Sequence, residues 1–274
     1  MSPVLTSGSP GSADESPPWL VGGIRPDAFR LDGRTAIVTG GDRNIGASIA
    51  LTFALSGAHV AIIARNEARL SRTVDEIAKQ APQSYVVPVL ADVRDEDLPQ
   101  RILAALHTIE DPLAIFVNNA ADYGADAGLI DTDTAALGAV FETNLFAPLR
   151  LIKTVAPILK SAPGASIINV VSGAGLLPVA GRGAYGITKA ALWHATRYLA
   201  VELAPDIRVN ALCPGLVSET GEPRSSGQRA ILEGVPMRRV GSPHEIAGAA
   251  LYLASDASSY TTGELLVCNG GRLW

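Results

Sequence analysis

The sequence predicts a three-layer α/β fold: a single domain built on a doubly wound parallel sheet of about seven strands. Two observations lead to this prediction. From Leu31 onward, short β-branched runs alternate with longer segments of helical periodicity. A glycine-rich turn also joins the first of these runs to the first helical segment. The 274 residues, 47% of them hydrophobic, suffice for one large domain with a sizeable core.

The predicted strands are the short apolar runs at residues 35–39, 60–64, 85–90, 114–117, 166–171, 207–212 and 265–267. The predicted helices lie between them, at residues 45–56, 67–80, 96–107, 134–160, 183–204 and 243–255. Strands and helices that alternate in this way form a parallel sheet with helices on both faces. The folded domain is therefore expected to span residues 31–274.

Two segments depart from the alternation. Residues 218–240 are rich in Gly, Pro, Ser and Arg, and we interpret them as a mobile lid. Residues 1–30 are rich in Ser, Pro and Gly and lack both a basic start and an apolar region, so we do not expect them to be a signal peptide. We expect them to form a disordered or surface-packed extension, in which residues 19–21 could pack locally.

Composition excludes several classes of partner. The formal net charge of −5, with no block of Lys or Arg, argues against nucleic acid. No apolar stretch approaches the roughly 20 residues that span a bilayer, so no membrane segment is expected. Cys213 and Cys268 are far apart in sequence, which indicates free thiols in a reducing cytoplasm. The four histidines are scattered, and no metal site is predicted.

The turn from Thr39 to Gly46 predicts a dinucleotide site, because it joins a strand to a helix whose N-terminus can bind phosphate. Gly40 permits the turn, and Gly46 allows close helix packing. The alternative is an ordinary turn, since glycine also serves there. The predicted cofactor-binding residues of this turn are Gly40, Asp42, Arg43, Asn44, Ile45 and Gly46.

The end of the second strand predicts which dinucleotide binds. A carboxylate there would contact an unphosphorylated ribose, but Arg65 follows the strand instead. Arg43 lies in the phosphate turn itself, so two guanidinium groups could converge on a 2′-phosphate. NADP(H) is therefore the predicted cofactor. The alternative is that one or both arginines are solvated surface charges.

Tyr185 and Lys189 are spaced one helical turn apart, with Ser172 thirteen residues before the tyrosine at the end of a β-branched run. The (i, i+4) spacing places both side chains on one helix face, where an ammonium can lower the pKa of a phenol. Such a pair predicts acid–base chemistry. The alternatives are a pair of amphipathic side chains reaching out of the core and a serine that caps a turn.

Together these motifs resemble the short-chain dehydrogenase/reductase family, over essentially Leu31 to the C-terminus. The resemblance implies a Rossmann-like fold, a nicotinamide cofactor, a small-molecule substrate and a homo-oligomer, commonly a tetramer. It is carried by the glycine turn, Asp92, the run Asn118-Asn-Ala-Ala121, Asn144, Ser172, Tyr185, Lys189 and Pro214-Gly215.

The resemblance also implies residue roles. Tyr185 is expected to donate or accept the proton, Lys189 to assist it and bind the nicotinamide ribose, and Ser172 to orient the substrate carbonyl. Asn144 is expected to support a water-mediated proton relay, although its apolar surroundings also suit a satisfied buried amide. Further implied cofactor contacts are Asp92, Val93, Asn119, Ala120, Pro214, Gly215, Val217 and Thr220. Helix capping by Asp92 and a simple turn at Pro214-Gly215 are alternatives.

Two positions depart from the family pattern. Asn44 replaces the usual middle glycine of the phosphate turn, and Ala121 replaces the final glycine of the Asn-Asn-Ala-Gly run. Asparagine tolerates left-handed backbone geometry better than most residues, so the turn can keep its shape, while the added amide crowds the site.

The substrate is the least defined part of the prediction. Residues that follow strand ends could form an apolar wall near the reacting carbon, with ordinary packing as an equal alternative: Tyr123, Leu176, Leu177 and Val179. We expect NADPH-dependent reduction of a ketone or related carbonyl on a mostly apolar small molecule. The alternatives are a dinucleotide sensor without turnover, and an NADP-dependent epimerase or imine reductase.

Overall fold

Seven parallel strands form one sheet in the order β3-β2-β1-β4-β5-β6-β7. The computed structural model describes residues 23, 25–223 and 225–272. The strands are β1 Thr35–Thr39, β2 His59–Ala64, β3 Val86–Leu90, β4 Leu113–Asn118, β5 Ser166–Val170, β6 Arg208–Pro214 and β7 Leu265–Cys268. The helices are α1 Asn44–Leu55, α2 Glu67–Gln80, α3 Leu98–Leu106, α4 Thr134–Phe141, α5 Ala147–Leu159, α6 Gly183–Leu203, α7 Ser226–Glu233 and α8 Pro243–Ala254.

Helices cover both faces of the sheet, which confirms the predicted doubly wound architecture. On one face α1, α2 and α8 bury side chains such as Phe53, Ile77 and Leu253 in one apolar cluster. On the other face α3 and α5 bury Ile102 and Val155 in a second cluster. The central strands are buried on both sides, so their runs are continuously apolar rather than alternating.

The order of the strands reverses at β1, which pairs with β2 on one side and with β4 on the other. In open parallel sheets, ligands bind at the carboxyl ends of the strands where the order reverses. The turn from β1 to α1 and the segment after β4 therefore lie on the two sides of one cleft.

Most predicted elements differ from the observed ones by one or two residues at their ends, and three differences concern the helices α3, α4, α5 and α7. The single helix predicted over residues 134–160 is interrupted by a π-helical turn at Glu142–Phe146, between α4 and α5. The predicted helix over 96–107 shortens to Leu98–Leu106, with a proline in its first turn. The segment interpreted as a mobile lid, residues 218–240, contains the helix α7, whose first turn is capped by the Ser225 hydroxyl accepting from the Gln228 amide.

We expected no apolar stretch long enough to span a bilayer. This expectation was wrong, because one helical segment has the required length and composition. Residues 134–159 form a helical segment of mean hydropathy 1.2 that is long enough to cross a membrane. Leu151, Ile152 and Val155 of this segment are nevertheless buried in the apolar cluster beneath the sheet. The segment is therefore a core helix of the domain.

The end of the N-terminal extension packs on the surface. Pro26–Phe29 form a 3₁₀ turn that contacts the turn at Asp256–Ser258. Leu31 is fully buried, and its amide donates to the carbonyl of Ser56. The predictions for residues 1–22, including local packing of 19–21, lie outside the described residues.

Candidate active site

The turn between β1 and α1 is packed tightly against the end of β4. Gly40 has a φ of +63°, a backbone region that favours glycine. A side chain on Gly46 would overlap the carbonyl oxygen of Gly40 and the amide of Asn119. The Asn119 side chain donates to the carbonyls of Thr39 at 2.9 Å and Gly40 at 3.0 Å. These contacts hold the turn closely packed against the end of β4.

Asn44 begins α1 with a φ of +49°, so it keeps the left-handed conformation expected at a glycine position. Its side-chain oxygen is buried and has no hydrogen-bond partner among the described residues. Its backbone amide donates to the carboxylate of Glu219 at 2.8 Å. Glu219 belongs to the segment that follows β6, and the sequence did not indicate this contact.

A cleft of about 380 Å³ opens at the strand ends beside this turn. Its walls come from the ends of β1, β2, β3 and β4 and from the start of α1. Most of the predicted cofactor residues line it: Gly40, Asp42, Arg43, Asn44, Ile45, Gly46, Arg65, Asp92, Val93, Asn119 and Ala120. The structure therefore brings together residues that are distant in the chain. Thr39 and Asn119, for example, are 80 positions apart and share a hydrogen bond.

The positive charges of the cleft have acidic neighbours. Arg65 is 68% exposed and lies 3.5 Å from the Asp92 carboxylate. Asp92 also accepts two hydrogen bonds from the Arg94 guanidinium, and this bonding lowers its pKa to about 2. Arg69 lines the same cleft, and its Nε donates at 2.7 Å to Asp42. Arg69 was not predicted from the sequence; it lies in the first turn of α2, just after the strand end that carries Arg65.

The cofactor residues predicted at and after the end of β6 are not part of the lining of the cleft. Gly215 donates to the carbonyl of Cys268, and Val217 forms an isolated bridge with Gly241. The Thr220 hydroxyl lies 3.0 Å from the buried hydroxyl of Ser218. Within the described part of residues 214–223, only Glu219 is among the lining residues. Roles for Pro214, Gly215, Val217 and Thr220 stay predictions.

Ser172, Tyr185 and Lys189 converge near the end of β5. Ser172 follows the strand, its hydroxyl accepts at 3.3 Å from the Ala174 amide, and it hydrogen-bonds Tyr185. The Lys189 ammonium is fully enclosed, donates at 2.8 Å to the Val170 carbonyl and lies 5.7 Å from the centre of the Tyr185 ring. The helical spacing thus places the phenol and the ammonium together, as expected.

Burial dominates the electrostatics of this group. Burial raises the pKa of Tyr185 above its ordinary value, the nearby Tyr123 adds to the rise, and the hydrogen bond with Ser172 opposes it. Burial lowers the pKa of Lys189 to about 8. We expected the ammonium of Lys189 to lower the pKa of Tyr185. This expectation was wrong, because burial outweighs the neighbouring charges and raises that pKa. The cation that lowers the pKa of Tyr185 here is Arg182.

Asn144 lies in the π-helical turn and is fully buried. Its side-chain oxygen accepts from the amide of Asp122, and its nitrogen donates to the carbonyl of Asp122, both at 2.7 Å. The nitrogen also donates to the Thr188 hydroxyl at 3.0 Å. The amide is thus a satisfied buried group, the alternative considered from the sequence, and a proton relay at Asn144 stays a prediction.

The predicted substrate wall separates into two parts. Tyr123 lines the cleft and stacks on Tyr185. Leu176 instead packs against the buried cluster that contains Val171 and Cys213, and Leu177 hydrogen-bonds back to Gly173 in the 3₁₀ turn. Ordinary packing therefore explains Leu176, and roles for Leu177 and Val179 toward substrate stay predictions.

Comparisons with known proteins show which family the chain resembles along most of its length. A family model described as enoyl-(acyl carrier protein) reductase matches residues 40–272. The short-chain dehydrogenase/reductase SDRA of Arabidopsis thaliana is 33% identical, with 88% of this chain and 94% of the relative covered. The 3-oxoacyl-(acyl-carrier-protein) reductase FabG of Chlamydia trachomatis is 37% identical, with 88% and 98% covered. A solved 7α-hydroxysteroid dehydrogenase, complexed with NADH and 7-oxo glycochenodeoxycholic acid, matches with a TM-score of 0.83 and 32% identity, covering 91% and 98%.

Proposed function

Because the chain belongs to the short-chain dehydrogenase/reductase family of oxidoreductases, we propose that it reduces a ketone or related carbonyl on a mostly apolar small molecule, with NADPH as the hydride donor. The observation that carries this proposal is the convergence of Ser172, Tyr185 and Lys189 beside the cleft. A protein that only sensed a dinucleotide would not need a phenol and an ammonium buried together at this position.

The cleft fits a dinucleotide. The close approach of Gly46 to the Gly40 carbonyl leaves no room for a side chain and frees the N-terminus of α1 to face the cleft. The residues that would hold the pyrophosphate are those of the turn from Gly40 to Gly46. Asp92 and Val93 would lie near the adenine, and Asn119 and Ala120 would lie along the rest of the molecule. When bound, the nicotinamide supplies or accepts a hydride.

The choice of NADP(H) over NAD(H) rests on two arginines. Arg43 is exposed in the phosphate turn, and Arg65 stands at the end of β2 where a carboxylate would favour the unphosphorylated ribose. Both line the cleft. The solved 7α-hydroxysteroid dehydrogenase is complexed with NADH, so the family alone does not decide the cofactor. The arginines of this chain support the phosphorylated form.

The chain's own residues would handle the proton. In the reducing direction, Ser172 donates a hydrogen bond to the carbonyl oxygen and stabilises the charge that develops on it. Tyr185 transfers its proton to that oxygen as the carbonyl carbon gains the hydride. Lys189 would bind the nicotinamide ribose, and Arg182, the cation that lowers the pKa of Tyr185, would stabilise the phenolate that Tyr185 leaves behind. Because burial raises the pKa of Tyr185, the phenol is kept protonated before transfer.

The deciding experiment is a screen of purified protein for NADPH oxidation with ketone, quinone and imine libraries, followed by product analysis. We expect an alcohol product from a ketone. Tyr185→Phe should lose about 10²-fold or more in kcat, because general acid catalysis contributes about that much, while NADPH binding is retained. Near-normal turnover by this variant would refute the mechanism. Binding without any turnover would favour a sensor, and an amine or an epimer as product would favour the corresponding alternative enzyme.

We also propose that the chain forms a homo-oligomer, a tetramer or a dimer, in the cytoplasm. Three apolar residues lie on one stripe of α6 and are exposed by 42%, 61% and 81%: Ile187, Tyr198 and Val201. An exposed apolar stripe on a long helix suits a contact with a second copy of the chain. The free thiols of Cys213 and Cys268 suit a reducing compartment.

A further inference from the structure

The ring of Tyr123 lies against the ring of Tyr185. Their centroids are 4.8 Å apart and their planes differ by 29°, which is a stacked arrangement. Tyr185 is 7% exposed, whereas Tyr123 is 56% exposed and lines the cleft. A ring that is more than half exposed has few partners to hold it, so the stack with Tyr185 is a principal contact of Tyr123.

The backbone beside Tyr123 is clamped by Asn144. The Asn144 amide forms two 2.7 Å hydrogen bonds with the backbone of Asp122, the residue immediately before Tyr123. The same amide donates to the Thr188 hydroxyl, which in turn donates at 2.7 Å to the carbonyl of Tyr185. One buried side chain therefore ties together the two segments that carry the stacked tyrosines.

Arg182 contacts this arrangement from the start of α6. Its guanidinium carbon lies 6.0 Å from the centre of the Tyr123 ring, a cation–π distance. Arg182 also forms an isolated bridge with Ala127 and lies 4.0 Å from the carboxylate of Asp126. The loop that carries Tyr123 is thus held at a second point, next to the helix that carries Tyr185.

We propose that Tyr123 is a positioning residue for Tyr185: its stacked ring, held by Asn144 and Arg182, fixes the direction in which the Tyr185 hydroxyl meets the substrate. This inference rests on the proposed function. A phenol pivots about its Cβ, so a change in ring tilt moves the hydroxyl most of all. A misplacement of about 1 Å in a reacting group can cost about 10²-fold in rate.

Tyr123 also affects the protonation of Tyr185. The titratable and polar groups that face Tyr185 are Tyr123, Ser172, Arg182, Lys189 and Cys213. Among these, Tyr123 and Cys213 raise the pKa of Tyr185 further, whereas Ser172 and Arg182 lower it. Replacing the hydroxyl of Tyr123 while keeping its ring should therefore lower the pKa of Tyr185. Reduction requires a protonated Tyr185, and burial already keeps it protonated, so loss of the Tyr123 hydroxyl should leave kcat at neutral pH unchanged.

The test compares Tyr123→Ala with Tyr123→Phe, using NADPH and a carbonyl compound that the wild type reduces. Loss of the ring in Tyr123→Ala should lower kcat about ten-fold and leave the Kd for NADPH within about two-fold, since only the position of the phenol changes. Tyr123→Phe keeps the ring and should therefore have a kcat close to that of the wild type. The control is Tyr85→Ala, a tyrosine of similar exposure, 53%, on the edge strand side of the sheet.

An unchanged kcat in Tyr123→Ala, or a loss in Tyr123→Phe as large as in Tyr123→Ala, would overturn the inference. An equal loss in Tyr85→Ala would do the same. Absence of turnover by the wild type with every carbonyl compound would refute the proposed function instead. In that case NMR of ring-labelled tyrosine tests the stack of Tyr123 on Tyr185. Tyr123→Ala should shift the ring resonances of Tyr185, and unchanged resonances would contradict the contact.

Discussion

The carboxylate of Glu219 accepts a hydrogen bond of 2.8 Å from the backbone amide of Asn44, 175 residues earlier in the chain. Asn44 begins α1, and the preceding residue Arg43 provides no side-chain cap for this helix. The N-terminus of a helix attracts negative charge. Glu219 therefore places a carboxylate at the end of the helix where the proposed cofactor would place its pyrophosphate.

This contact predicts that Glu219 weakens cofactor binding. Glu219→Gln removes the negative charge, so the Kd for NADPH should fall by about three-fold, in line with the energy of an exposed charge at a helix terminus. The Kd for NADH should fall by the same factor, because both molecules carry the same pyrophosphate. Isothermal titration measures both constants. Glu222→Gln is the matched control, since it makes the same change at an exposed position of the same segment. Equal effects from both variants would show that the contact with Asn44 is not responsible.

A second prediction concerns cofactor choice. Arg65→Ser should raise the Kd for NADPH by about ten-fold or more, because a charge-assisted contact with the 2′-phosphate is lost. The Kd for NADH should stay nearly constant, since that ribose has no phosphate. Arg72→Ser, which removes an exposed arginine from α2, serves as the control. An equal weakening of both cofactors by Arg65→Ser would contradict the assignment.

A third prediction concerns the pH dependence of stability. Lys189 has a pKa of about 8 in the folded protein and 10.5 as its ordinary value. Between these values the unfolded chain binds a proton that the folded chain does not, so this residue makes stability rise with pH. Below pH 8 both states are protonated, and the full cost of the buried charge is present.

Lys189→Met removes this dependence. The free energy of unfolding of the wild type, minus that of the variant, should increase by about 2 kcal/mol from pH 8 to pH 10, following the energy of a pKa difference. Urea denaturation at both pH values measures it. Cys213 has the opposite effect on the pH dependence of stability, because burial raises the pKa of its thiol to about 12. This effect is present in both proteins, so it cancels when the variant is subtracted from the wild type. A difference that does not change with pH would mean that Lys189 is not protonated differently in the two states.

A fourth prediction concerns assembly. Val201 is 81% exposed on the apolar stripe of α6. Val201→Glu would place a charge in the proposed contact between copies, so the oligomer should dissociate toward smaller species. Light scattering coupled to size-exclusion chromatography measures the mass. Glu202→Gln, a change at the neighbouring position, is the control. If Val201→Glu and the wild type have the same mass, this stripe is not the contact.

Much of the fold and part of the site could be predicted from local sequence. The strands and helices follow from contiguous apolar patterns, and local motifs with the family resemblance indicated many residues of the cleft, though not Arg69 or Glu219. The π-helical turn at Glu142–Phe146 was missed because an extra residue in a helix leaves the apolar pattern of the surrounding segment largely intact. The short helix α7 was missed because Gly, Pro and Ser around it are typical of loops.

By itself the sequence determined the doubly wound parallel sheet, the phosphate turn and the helical pairing of Tyr185 with Lys189, because each depends on neighbours along one strand, turn or helix. Only the tertiary structure decided the stack of Tyr123 on Tyr185, the contact of Glu219 with Asn44 and the direction of the pKa of Tyr185. Contacts between distant segments depend on how those segments pack. The charge state of a buried group likewise depends on how much water the packing removes from it.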